Sequence, residues 1–144
     1  MLPLDDYVPY LLNRAGARIA ASFSDEVRPF GITLPMWRAL AALTDRDGQT
    51  VGELSGHTSI EISTLSRVLD GLQRRKLIER RRAEADGRVV TLRLTAAGRA
   101  MTRRVIPIAE RYERVAIAGL SPRDVATLKR LLRTLYANMD GLTT

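Results

Sequence analysis

The sequence predicts a mainly α-helical fold with one small β-hairpin. Apolar residues recur three or four apart through most of the chain, the mark of helices buried along one face. Alternation with a period of two is confined to residues 78–94. An Asp86-Gly87 step, which favours a turn, divides that stretch. A short helix, a tight turn, a second helix and then a hairpin describe a winged helix-turn-helix. The 144 residues fit one domain. Its helix-turn-helix lobe is expected over about 33–94, with dimerisation helices over about 5–28 and 95–141.

In order, the first helix is expected from about Asp6 to Val27, where Val8, Leu11, Leu12, Ala15, Ile19, Phe23 and Val27 share a face. Pro29 and Gly31 break it. Thr33 then caps a helix with Pro35 in its first turn and Trp37, Leu40, Ala41 and Leu43 along it. Thr50-Val51-Gly52-Glu53 fits a capping box that opens a short helix ending near Gly56-His57-Thr58. The next helix, about Glu61 to Arg75, has an inner stripe of Ile62, Leu65, Val68, Leu69 and Leu72. Its outer face carries Ser63, Thr64, Ser66, Arg67, Asp70, Gly71 and Arg74.

Strands follow at Ile78–Arg82 and Val89–Leu94, the second with Val90, Leu92 and Leu94 facing inward. Thr95 caps a long helix holding Met101, Val105, Ile108, Tyr112 and Val115, with Pro107 inside it. Gly119 stops that helix. Ser121-Pro122-Arg123-Asp124 starts the last one, whose apolar face is Val125, Leu128, Leu131, Leu132, Leu135 and Met139.

Composition excludes several classes of function. The chain has no cysteine and one histidine, His57, so thiol chemistry, a zinc site and a His-based catalytic arrangement lack their parts. Paired carboxylates such as Asp5-Asp6 and Asp25-Glu26 have no partner base, and no Gly-rich phosphate loop is present. No enzymatic activity, metal or cofactor is expected. The apolar runs are too short for a membrane span and the start Met-Leu-Pro-Leu-Asp-Asp does not read as a signal peptide, so a cytoplasmic protein is expected.

The net charge is +7, and residues 46–104 alone hold 13 Lys/Arg against 7 Asp/Glu. A surplus concentrated in the helix-turn-helix region suits a polyanionic partner. Ser63, Thr64, Ser66 and Arg67 lie near the start of the second helix of the motif, where a helix in the major groove reads base edges. Arg74-Arg75-Lys76 and Arg80-Arg81-Arg82 place six cations in nine residues, suited to phosphates flanking the groove. Arg88 at the hairpin tip is placed to enter a neighbouring minor groove. Double-stranded DNA is therefore the expected partner. RNA fits less well, because the basic region lacks stacking aromatics.

At these residues the chain resembles the MarR family of bacterial transcriptional regulators. The likeness runs through Gly31-Ile32-Thr33-Leu34-Pro35-Met36-Trp37-Arg38-Ala39-Leu40 and then residues 58–70, with Ser63-Thr64-Leu65-Ser66-Arg67 at their centre. It continues through Leu77-Ile78-Glu79-Arg80-Arg81, the Asp86-x-Arg88 wing element and Leu94-Thr95-x-x-Gly98. The resemblance implies that Ser63, Thr64, Ser66 and Arg67 face DNA, that Asp86 orients the wing and that Arg88 touches DNA. Lys76 stands where the family often has glycine, so the turn after the reading helix is expected to differ. Glu61 stands where the family often has the better-capping aspartate.

The first and last helices carry apolar faces too large to be explained by covering a small lobe. A two-fold homodimer would bury them and set two reading helices about 34–36 Å apart. Many members of the family bind a small, often aromatic and anionic effector, and the N-terminal stretch resembles members that respond to aromatic acids or their CoA thioesters. Tyr10 and Arg14 share a face at i and i+4, and Trp37 and Arg38 open the second helix; an arginine beside aromatic walls suits an aromatic carboxylate. The plainer reading, which is favoured over an effector site, makes Tyr10 and Trp37 core or interface residues and pairs Arg14 with an acid. His57 is read as a turn residue. The expectation is a sequence-specific regulator, a repressor released by its effector; the alternative is an architectural DNA-binding protein without effector control.

Overall fold

A 3-10 turn at Leu4–Asp6 leads into the helix α1 (Val8–Val27). The computed structural model describes residues 1–142. They fall into two compact units, Met1–Glu110 and the segment from Arg111 onward. The remaining elements are α2 (Leu34–Asp45), α3 (Val51–Thr58), α4 (Ile62–Arg74), β1 (Ile78–Arg82), β2 (Val90–Leu94), α5 (Ala96–Ala116) and α6 (Pro122–Asn138). No helix among them is long and apolar enough to cross a membrane.

In the first unit, α2, α3 and α4 pack together beneath the hairpin, and Leu40, Leu43, Leu54, Leu65, Leu69, Leu72 and Leu92 are wholly buried. Burying each such leucine stabilises the fold by roughly 1.5–3 kcal/mol before entropy is counted. Thr33 caps α2 by accepting the Met36 N–H at 3.3 Å. Thr50 caps α3 through the Glu53 N–H at 3.1 Å, but the Glu53 carboxylate lies 3.7 Å from Arg46 and no complete box forms.

α4 corrects two assignments. Ile62 is 54% exposed and leaves the inner stripe, which is Leu65, Leu69 and Leu72. Gly71, expected outside, is buried against Met36 of α2. Periodicity gives the direction of an apolar face; it does not say where the face ends or that a second helix approaches its flank. α4 closes with Lys76 in the left-handed region at φ +59. Lys76 N–H donates to Gln73 O and Leu77 N–H to Leu72 O, the pair of bonds that glycine usually permits after a helix. The turn thus takes the left-handed form without the glycine.

β1 and β2 pair antiparallel with Ile78 opposite Leu94 and Arg82 opposite Val90. Leu92 and Leu94 are buried and Val90 is half-buried. Val89, expected in the strand, belongs to the exposed tip spanning 83–89. A bridge from Gln49 to Leu92 extends the pairing. Gln49 is wholly buried, its amide donating to the carbonyls of Ala42 and Arg46.

Thr95 joins the hairpin to α5. Its hydroxyl donates to Lys76 O at 2.7 Å and accepts the Gly98 N–H at 3.0 Å. A Cβ on Gly98 would stand 2.0 Å from the Leu77 carbonyl oxygen, so only glycine lets the first turn of α5 approach there. This is the physical content of the Leu94-Thr95-x-x-Gly98 pattern.

α1 divides along its length. Phe23 and Val27 are buried, while Val8, Leu11, Leu12 and Ile19 are exposed. In the segment from Arg111, Ser121 and Asp124 form a complete capping box for α6. Lys129 of α6 pairs with Glu113 at 2.8 Å, and its hydrogen bond and positive charge hold the Glu113 carboxyl below its ordinary range. Leu128, Leu131, Leu132 and Leu135 of α6 are all exposed, as is Met139, which begins the 3-10 turn Met139–Leu142 after the helix and is not part of its face.

Candidate nucleic-acid interface

The N-terminal half of α4 presents Ser63, Thr64 and Arg67 to solvent, with Ser66 half-buried. Glu61 stands at the cap position but makes no capping bond; its carboxylate accepts the Ser63 hydroxyl at 2.9 Å. The first N–H groups of α4 therefore receive no side-chain cap, which suits an anion such as phosphate. Arg67 and Arg74 are exposed and make no hydrogen bond or ion pair among the described residues.

The six cations from the last residue of α4 to the end of β1 are less uniform than their sequence suggests. Arg75 donates to the carbonyls of Phe30 and Gly31. Arg80 is held by Asp70 at 2.9 Å and by Gln73. Arg81 pairs with Glu79. Arg82 donates to the Gly87 carbonyl at 2.8 Å and braces the wing tip. These partners come from elements distant in sequence or from strand neighbours, which a count of charges does not reveal.

At the tip, Asp86 Oδ1 accepts the Arg88 N–H at 3.0 Å, and Asp86 O accepts the Val89 N–H at 3.0 Å. This Asx turn leaves the Arg88 side chain exposed at the end of the hairpin.

The four residues expected at an effector site separate into two pairs. The Arg14 guanidinium stands 5.6 Å from the centre of the Tyr10 ring, as their spacing on α1 requires. Trp37 and Arg38 line a groove of about 370 Å³ with Ala41, Ala42, Asp45, His57 and Thr58, and Tyr10 and Arg14 are not among its lining residues. The Trp37 ring also packs on Phe23, with centroids 6.1 Å apart. His57 lies in the last turn of α3, not in a loop, and reaches Gln49 Oε1 at 3.2 Å and Asp45 Oδ2 at 3.3 Å. Sequence reading missed Asp45 and His57 as groove residues. Asp45 ends α2 and His57 lies in the last turn of α3, so only the packing of the two helices brings them together.

Two helices around a tight turn, an exposed polar face on the second and a braced hairpin define a winged helix-turn-helix protein. The MarR family model matches residues 30–89. An HTH-type transcriptional repressor of Mycobacterium bovis is 30% identical over 126 residues, 88% of this chain and 91% of that protein. The structure of a MarR-family transcriptional regulator from Silicibacter pomeroyi is 34% identical, with a TM-score of 0.86 over 95% of this chain and 92% of that one. BpsR of Bordetella bronchiseptica, whose DNA binding is regulated by 6-hydroxynicotinic acid, is 29% identical, with a TM-score of 0.85 over 94% of this chain and 97% of its own. The chain belongs to the MarR family of winged helix-turn-helix transcriptional regulators.

Proposed function

We propose that this protein is a homodimeric repressor that reads a specific double-stranded DNA sequence and is released by a small anionic aromatic effector or its CoA thioester. The observation that carries the reading is the outer face of α4: Thr64 and Arg67 are exposed near its N-terminus, and Arg67 is uncommitted to any described residue. Arg67 offers a guanine O6/N7 edge a paired donor, while Ser63, Thr64 and Ser66 let the helix lie deep in the major groove. Arg74 and Arg82 contribute phosphate contacts. Arg88, held out by the Asp86 turn, enters the adjacent minor groove and responds to its width.

The dimer is supported separately by the exposed apolar residues of α1 and of α6, which a second copy would cover. Trp37 supplies an aromatic wall and Arg38 a cation for an effector carboxylate, and BpsR gives a relative regulated by an aromatic acid. Tyr10 and Arg14 form a second pair of the same chemistry on α1.

Selection of duplexes from a random pool with purified protein tests the reading. It should return an inverted repeat bound at least about 10³-fold more tightly than random duplex at physiological salt. A ratio near one would leave an architectural DNA-binding protein. Aromatic carboxylates and their CoA thioesters should then release the repeat. Trp37 is the sole tryptophan, so its fluorescence reports occupancy of the groove directly. Arg38→Ala should raise the concentration needed for release while leaving DNA affinity intact; the same shift in Arg14→Ala alone would move the effector to the Tyr10–Arg14 pair.

A further inference from the structure

Arg75 is the C-cap residue of α4, and its side chain reaches the connector between α1 and α2. Its Nη2 donates to the Phe30 carbonyl at 3.1 Å and its Nη1 donates to the Gly31 carbonyl. Two bonds from one planar guanidinium fix an angle as well as a distance, which a lysine ammonium does not do. The receiving peptide is itself constrained. Gly31 is left-handed at φ +72 after the 3-10 turn Arg28–Phe30, and a Cβ there would stand 3.3 Å from Arg75 Nη2. Arg104 of α5 stacks on the Phe30 ring at 4.8 Å, and buried Val27 and Ile32 flank the turn.

We propose, given the DNA-reading function above, that Arg75 is a positioning residue and not a phosphate contact: it locks the end of α4 to the α1–α2 connector and thereby sets the spacing of the two half-sites. α4 is about 20 Å long. Rotation at its C-terminal end is therefore amplified at Thr64 and Arg67, near the other end. Because α1 supplies part of the proposed dimer surface, a lock between α4 and the turn that follows α1 ties the reading face to the two-fold axis.

Arg75→Gln and Arg75→Lys, in the full-length protein, separate a lock from a charge. Binding is measured on the selected inverted repeat and on the same repeat with one base pair added or removed between half-sites, each over a range of salt. Both variants should lose affinity for the native spacing, on the order of tenfold. They should retain the wild-type salt slope and suffer a smaller penalty when the spacing changes. Thermal unfolding and sedimentation confirm that each variant is a folded dimer, and Arg75→Lys, the milder change, carries the test alone should Arg75→Gln not fold. If Arg75→Lys binds like wild type while Arg75→Gln lowers the salt slope by about one per subunit, Arg75 is a phosphate contact and the proposal is overturned. An unchanged spacing penalty in both variants overturns it as well. Wild-type protein with no preferred sequence would overturn the DNA-reading function itself, a separate outcome from either variant result.

Discussion

The Arg80 guanidinium lies 2.9 Å from the Asp70 carboxylate and also reaches Gln73, tying the first strand of the hairpin to the outer face of α4. An acid thus stands among the residues assigned to DNA, and it restrains one of the nearby cations. Asp70 is mostly open to water and the Arg80 side chain keeps about a third of its surface exposed, so solvent screening limits the pair to about 1 kcal/mol of stability. Asp70→Asn should leave the urea midpoint almost unchanged, raise affinity for all duplexes and steepen the salt dependence by up to about one ion per subunit. Lower affinity would mean that Asp70 orients Arg80 toward DNA.

Gly98→Ala tests the junction between hairpin and α5. The added methyl would meet the Leu77 carbonyl at 2.0 Å, a backbone atom that cannot step aside as a flexible side chain could. A loss on the order of 1–3 kcal/mol is expected in urea unfolding, despite the better helix propensity of alanine. A neutral or stabilising effect would contradict the close approach of the first turn of α5 to Leu77.

Much of this architecture was legible in the sequence because local signals and packing agree. Thr33, Thr50 and Ser121 cap helices as their positions require, and the hairpin lies at the period-two stretch. The parts that were not legible depend on partners far away in the chain. Ile62 continues a helical stripe in sequence but lies outside the packed seam. Arg75 reads as one more cation until the carbonyls of Phe30 and Gly31, 45 and 44 residues away, claim its donors. At the candidate effector groove, Trp37 and Arg38 were visible as an aromatic-cation neighbour pair, whereas Asp45 and His57 join them only through the crossing of α2 and α3.

The Glu113–Lys129 pair gives a pH dependence with a definite sign. Lys129 lowers the Glu113 pKa in the folded protein, through its hydrogen bond first and its charge second. The contribution is therefore complete above the unfolded carboxyl value, and is lost as pH falls through the depressed folded value. At neutral pH wild type should unfold at higher urea than Glu113→Gln. The difference should shrink in acid and in high salt. A difference independent of pH would assign the effect of the substitution to packing and not to the ion pair.

Arg88 and Asp86 should separate contact from support at the wing. Arg88→Ala removes an exposed side chain and should change stability by less than about 0.5 kcal/mol. It should weaken binding, lower the salt slope by about one per subunit and reduce preference for A·T-rich flanks. Asp86→Ala removes the acceptor of the Arg88 N–H and should lower both stability and affinity slightly. Full affinity of Arg88→Ala on every sequence would remove the wing from the interface.

The role of α4 is tested most directly by Arg67→Ala and Thr64→Ala, measured in parallel on the selected repeat and on random duplex at one salt concentration. Each should cost about 1–3 kcal/mol on the repeat and relax preference at one base position, with a much smaller loss on random DNA. Equal losses on both duplexes would contradict the assignment of Thr64 and Arg67 to base reading.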